Sequence, residues 1–148
     1  NREWSIHIAD SAAPHGPLLR ALHDHLRSLA PDLNARILAE EDTPLYLLLK
    51  HPLSDDAHLA EVVAAVAPAV PRDWIIHLNG NNAAFLPPFL GKRHAVAFLL
   101  PRLRAIWPEV PVIGIGDSLS DAQFMMLCDF AMMPAKSQLS IATLEQVS

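Results

Sequence analysis

The chain has 148 residues, 51% of them hydrophobic and 18% charged, which is ample apolar material for one ordinary domain or two small ones and excludes a disordered chain. A net charge of -5 and a pI near 5.8 come without any basic stripe, so nucleic acid is not an expected partner. No apolar run reaches the length of a membrane span, the opening residues carry no signal-peptide pattern, and the lone Cys128 permits neither an internal disulfide nor a cysteine-based zinc site, all of which fit a reducing, cytoplasmic setting.

In chain order, Trp4 to Ile8 alternates in character and predicts a short strand. Leu18, Leu22, Leu26 and Leu29 recur at helical spacing, and Pro31 ends that helix. Leu33 to Ala39 and Leu45 to Lys50 read as two strands of a hairpin, joined by a loop of several residues. Ser54 is the expected cap of the next helix, whose first turn holds Asp55 and Asp56 beside the positive end of its dipole. Its apolar stripe is Leu59, Val62, Val63 and Val66. Trp74 to Leu78 and Ala83 to Leu86 form a second strand pair around the turn signal Asn79-Gly-Asn-Asn82. The order helix, two strands, helix, two strands predicts a small α+β layer with helices on one face.

Pro87, Pro88 and Gly91 mark a boundary, so the expected division is residues 1–87 and 88–148. Beyond it, Arg93 to Trp107 predicts a helix with Val96, Leu99, Leu100, Leu103 and Ile106 facing inward, bent at Pro101. Val112 to Ile115 reads as a buried strand, Ser120 to Leu127 as a short helix, Phe130 to Met133 as another strand and Leu139 to Val147 as a terminal helix. Alternation of helix and strand belongs to a parallel sheet, here too short to close a doubly wound layer alone.

The run Val112-Ile-Gly-Ile-Gly-Asp-Ser-Leu-Ser-Asp121 hands a short strand directly to two acids. The carboxyl end of a strand is where open α/β sheets place their chemistry, and oxygen ligands suit a hard dication such as Mg2+. Asp117 and Asp121, four apart, are the candidate metal ligands, although helix capping by Asp117 or Ser118 explains the pattern equally well. Gly114 and Gly116 match only part of a dinucleotide loop, because position 119 is Leu. Lys92, at a helix start, supplies an ammonium able to neutralise a transferring phosphoryl group. Asn81, in the turn, offers a hydrogen bond to a sugar, and a turn that needs positive φ accounts for it as easily. The eight histidines show no His-x-x-x-His pair and read mostly as surface or hairpin residues, and the three tryptophans read as core anchors. Gly116-Asp-Ser-Leu119 also spells the nucleophile motif of GDSL-type esterases, but every histidine precedes Ser118 and no base follows it.

The stretch from Gly114 to Pro134 resembles the last motif of haloacid-dehalogenase-like phosphatases, in which Gly-Asp-x-x-x-Asp follows a core strand. Gly91-Lys92 resembles the family's lysine motif, and the upstream twofold αββ pattern looks like its C2-type cap, as in sucrose-phosphatase and mannosyl-3-phosphoglycerate phosphatase relatives. The resemblance implies an α/β fold, with an incomplete Rossmann-like core and an α+β cap. It implies a magnesium-dependent phosphatase acting on small phosphorylated sugars or related metabolites. Asp117 would ligate Mg2+, Asp121 would support it directly or through water, and Lys92 would hold the nucleophile and the phosphoryl oxygens. Ser118 would lie beside the metal. Position 120, often Asn in capped relatives, is Ser.

The family's nucleophile lies in an Asp-x-Asp-x-Thr run, and no Asp-x-Asp occurs in these residues. The expectation is therefore a cap plus the C-terminal part of a core, inactive alone and exposing an apolar edge that invites self-association. The absence of an initiator methionine before Asn1 agrees with a piece of a longer protein. The alternative is a non-catalytic binding or assembly module that keeps the fold.

Overall fold

A computed structural model describes residues 10–145. The strand expected at residues 4–8 lies outside them, as does the end of the terminal helix. The chain is mixed α/β and divides into two compact units that meet between Leu90 and Gly91.

The first unit opens with a short 3-10 turn and then helix α1, Gly16–Leu29. Strands β1, Asn34–Glu40, and β2, Thr43–Lys50, form an antiparallel hairpin. Its loop is only Glu41 and Asp42, shorter than expected, and Glu41 takes a positive φ of 51°. The register slips between Leu38 and Ala39, which lets Pro44 sit at the strand's start where no ladder amide is needed. Helix α2, Asp56–Val66, leads to β3, Ile75–Asn79, and β4, Asn82–Leu86. The left-handed backbone of that second turn falls on Gly80, at φ 51°.

All four strands pair antiparallel in the order β1-β2-β4-β3. Strand alternation puts Leu47 and Leu49 on the same face as Ala83 and Phe85, which stand directly opposite them across β2 and β4. Leu59, Val62, Val63 and Val66 of α2 join them in one core with Leu19, Leu22 and Leu26 of α1. Burying each such side chain contributes about 1.5–3 kcal/mol. The α1 stripe is thus Leu19, Leu22 and Leu26, whereas Leu18 and Leu29 are half exposed on its flank. Their spacing is as helical as that of the buried set, but one phase angle away from the sheet. Trp74 is buried before β3, with His15 edge-on to it at 5.8 Å between ring centroids.

The second unit holds α3, Lys92–Ile106; β5, Ile113–Ile115; a 3-10 turn, Leu119–Asp121, running into α4, Ala122–Met125; β6, Phe130–Met132; and α5, Gln138–Glu145. Strands β5 and β6 are parallel, joined across α4. Asp129 accepts hydrogen bonds from the Val112 amide and Arg104, tying the end of α3 to the start of β5. The Val112 amide first, and then the Arg104 charge, hold its carboxyl below the usual range against desolvation.

One face of this ladder carries Gly114, over which α4 packs. A Cβ there would meet Cys128 Sγ at 3.0 Å and Met125 Cα at 3.1 Å. At Gly116 it would collide with the Asp121 side chain and lie 2.8 Å from Met125 Sδ. The two glycines therefore admit a helix against a strand, which replaces the dinucleotide-loop resemblance with a packing reason. The opposite face presents Ile113, Ile115, Phe130 and Met132, all more than half exposed. The inward stripe expected on α3 is likewise mostly exposed, with only Leu100 buried. Nothing among the described residues of this unit covers these side chains. Trp107, expected as a core anchor, is 56% exposed for the same reason.

Candidate functional site

The residues following β5 turn sharply because Gly116 leaves room for Asp121 behind it. Ser118 is extended and caps the 3-10 turn, and Asp121 completes a reciprocal capping box. Asp121 Oδ2 accepts from the Asp117 amide at 3.1 Å, the Ser118 amide at 3.2 Å and the Ser118 hydroxyl at 3.0 Å. Its other oxygen, Oδ1, accepts from Lys92 Nζ at 2.5 Å. Lys92 is the first residue of α3, so one carboxylate links two elements of this unit.

Asp121 is 2% exposed, whereas the Lys92 side chain is 67% exposed. A buried carboxylate without partners would be forced towards its neutral form. Here the Lys92 hydrogen bond, and then those of the Ser118 and Asp117 groups, outweigh desolvation and hold the carboxyl far below the usual range. Asp121 is therefore an anion at any ordinary pH. Its acceptor sites are taken by four donors, so its carboxylate is committed to the loop and to Lys92.

Asp117 is different. It is exposed, and its carboxylate has no hydrogen-bond partner among the described residues, while its backbone oxygen accepts from the Leu139 amide at 3.0 Å. Ser118 Oγ lies 2.8 Å from Ser120 Oγ as well as bonding Asp121, so its hydroxyl is engaged in capping. The structure thus brings Lys92, Ser118, Asp121 and the Asp117 backbone together. It shows a cap and an ion pair in the same residues, where the sequence alone left cap and site as alternatives.

Asn81 belongs to the first unit. Its side chain accepts from the His51 amide at 3.0 Å and donates to the His51 carbonyl at 2.8 Å and to Ser54 Oγ at 3.2 Å. Both amide hydrogens are used within the fold. Ser54 does not cap α2 as expected, because it takes a positive φ of 59°. Asp55 is the cap, accepting from the His58 amide at 3.0 Å. That hydrogen bond leads the causes that lower the Asp55 carboxyl.

The histidine reading missed one group. Asp32, His51 and His58 place three ligating atoms within 4.8 Å of one another. Separations of 19 and 7 residues carry no local motif, and the turn before β1, the end of β2 and the first turn of α2 bring them together. His51, one of the eight histidines read mostly as surface or hairpin residues, is 8% exposed.

No helix among the described residues is long and apolar enough to cross a membrane. Neither a protein-family model nor a curated protein sequence matches the chain.

Proposed function

We propose that the chain supplies the cation-binding and lysine half of a magnesium-dependent phosphatase site of haloacid-dehalogenase type, with residues 1–87 as its C2-type cap and 88–148 as part of its Rossmann-like core. The observation that carries the reading is the Lys92–Asp121 pair at the rim of β5. An ammonium held by a buried carboxylate whose pKa lies well below the usual range is a preorganised positive charge, which is what a transferring phosphoryl group requires. Its exposed side chain leaves it open to a ligand.

The donor set fits a hard dication at one residue. Asp117 has a carboxylate without a partner among the described residues and would hold Mg2+, while Asp121 is saturated and would act by fixing Lys92 and the 116–121 loop. The cation would supply charge neutralisation to the phosphoryl oxygens. Lys92 would hold the same oxygens from the side opposite its carboxylate, and the capping box would keep the Asp117 backbone in place. The nucleophilic aspartate would come from chain outside these 148 residues. The bare apolar face of β5 and β6, together with the uncovered side of α3, supports such a larger core. That face also supports self-association of the isolated chain. The substrate class is a small phosphorylated metabolite, reached through the resemblance.

The test is phosphate release in the full-length protein that contains these residues. Asp117→Asn is expected to abolish magnesium-dependent turnover of a phosphate monoester while the fold survives. Retained turnover would remove Asp117 from the cation site, and no phosphatase activity in the full-length wild type would end the proposal.

A further inference from the structure

We infer that His51 and His58 form an oxyanion receptor in the first unit, filled by the chain's own Asp32 carboxylate, and that the three residues are not a transition-metal centre. The inference is independent of the phosphatase reading. Two imidazoles and a carboxylate within 4.8 Å are a donor set that zinc accepts, so the positions of the protons decide.

His51 Nδ1 lies 3.1 Å from the backbone nitrogens of both Leu53 and Asp55, which donate to it. An atom that accepts from two N–H groups carries its lone pair and no hydrogen. A neutral imidazole has one N–H, which therefore sits on Nε2, the atom facing Asp32 Oδ2 at 4.0 Å. A metal-bound histidine is wired the other way, with its lone pair on the metal and its remaining N–H given to an acceptor. Moving the ring proton to Nδ1 would set an N–H against two backbone donors and forfeit both bonds. His58 Nε2 lies 2.9 Å from the same Asp32 oxygen, and because a carboxylate only accepts, that nitrogen donates.

One N–H, that of His58, thus bonds the Asp32 oxygen at 2.9 Å, and the second, that of His51, stands 4.0 Å from the same oxygen, beyond hydrogen-bond reach. The inner wall of this receptor is rigid, since Asn81 clamps the backbone nitrogen and oxygen of the buried His51. The occupant is the replaceable part. The Asp32 side chain is 55% exposed and comes from the turn between α1 and β1. With Asp32 truncated, the two N–H groups would take a small carboxylate from solution.

Two measurements on the 148-residue chain test this. Long-range nitrogen–proton NMR of the histidine rings should show His51 as its Nε2–H tautomer, and stoichiometric zinc should leave those ring nitrogens unmoved. Asp32→Ala should lower the thermal midpoint by a few degrees, and added formate should restore it. The double variant Asp32→Ala/His58→Ala should lose the formate response. An Nδ1–H tautomer, or zinc binding that saturates at one equivalent and is lost in His58→Ala, would overturn the assignment in favour of a metal site. A folded Asp32→Ala protein indifferent to formate would overturn the receptor.

Discussion

Asp121 and Lys92 form one ion pair, yet removing the two partners should have unequal consequences for the fold. Asp121→Ala leaves the Asp117 and Ser118 amides and the Ser118 hydroxyl without their acceptor. Each orphaned amide costs about 1 kcal/mol, the low end of the range because the loop is only partly buried. The lost cap and the lost ion pair bring the expected total to about 2–4 kcal/mol. Lys92→Met removes the leading partner of a buried carboxylate, which keeps three other donors and gains water where the largely exposed lysine stood, so the expected cost is about 1–2 kcal/mol. Hydrogen exchange at the amides of β5 and α4 reads the difference directly. With tenfold per 1.4 kcal/mol, Asp121→Ala should speed exchange roughly 30- to 700-fold, and Lys92→Met roughly 5- to 30-fold. Equal acceleration by both variants would refute the reasoning, because it would make the ion pair, not the capping box, the source of Asp121's stabilising role.

The pH dependence of the second unit follows from the same carboxylate. Its folded pKa is depressed, so its stabilising contribution is complete above the unfolded value of about 3.9 and is lost as pH falls from there through the lower folded value. Acid titration followed by exchange should show a larger loss in the wild type than in Asp121→Asn, which keeps only the part owed to Asp129. Gly116→Ala should destabilise the unit by about 1–3 kcal/mol, since the added methyl collides with Asp121 and meets Met125 Sδ at 2.8 Å. An unchanged denaturation midpoint for that variant would show that α4 shifts away freely.

The first unit was legible wherever apolar periodicity met punctuation. The two strand pairs, the Asn79 to Asn82 turn and the α2 stripe all follow from local pattern and turn chemistry. The α1 stripe was offset because Leu18 and Leu29 share the helical spacing of the buried leucines, and a single helix does not reveal where its sheet lies. The Ser54 cap was misplaced because Ser54 takes left-handed backbone and its hydroxyl accepts from Asn81, 27 residues away. In the second unit, periodicity on α3 marks residues able to be buried, and they are exposed because nothing among the described residues of this unit covers them. Of the candidate site, the Gly-Asp-Ser-Leu-Ser-Asp run was visible, but the division of labour between Asp117 and Asp121 was not. It depends on which carboxylate the loop amides reach, a matter of three-dimensional geometry. The Asp32, His51 and His58 group was invisible because no fixed spacing encodes it.

The pairing of β2 with β4 has a consequence for how the sheet assembles. Each hairpin closes over two residues, but Lys50 and Asn82 meet only after all of residues 51–81 have been looped out. Closure entropy grows with loop length, and contacts distant along the chain slow folding. The two helix-and-hairpin halves can therefore organise separately, and joining them along that central seam becomes the slow step. Side chains straddling the seam, such as Leu47 against Phe85, act on the speed of folding as well as on its endpoint.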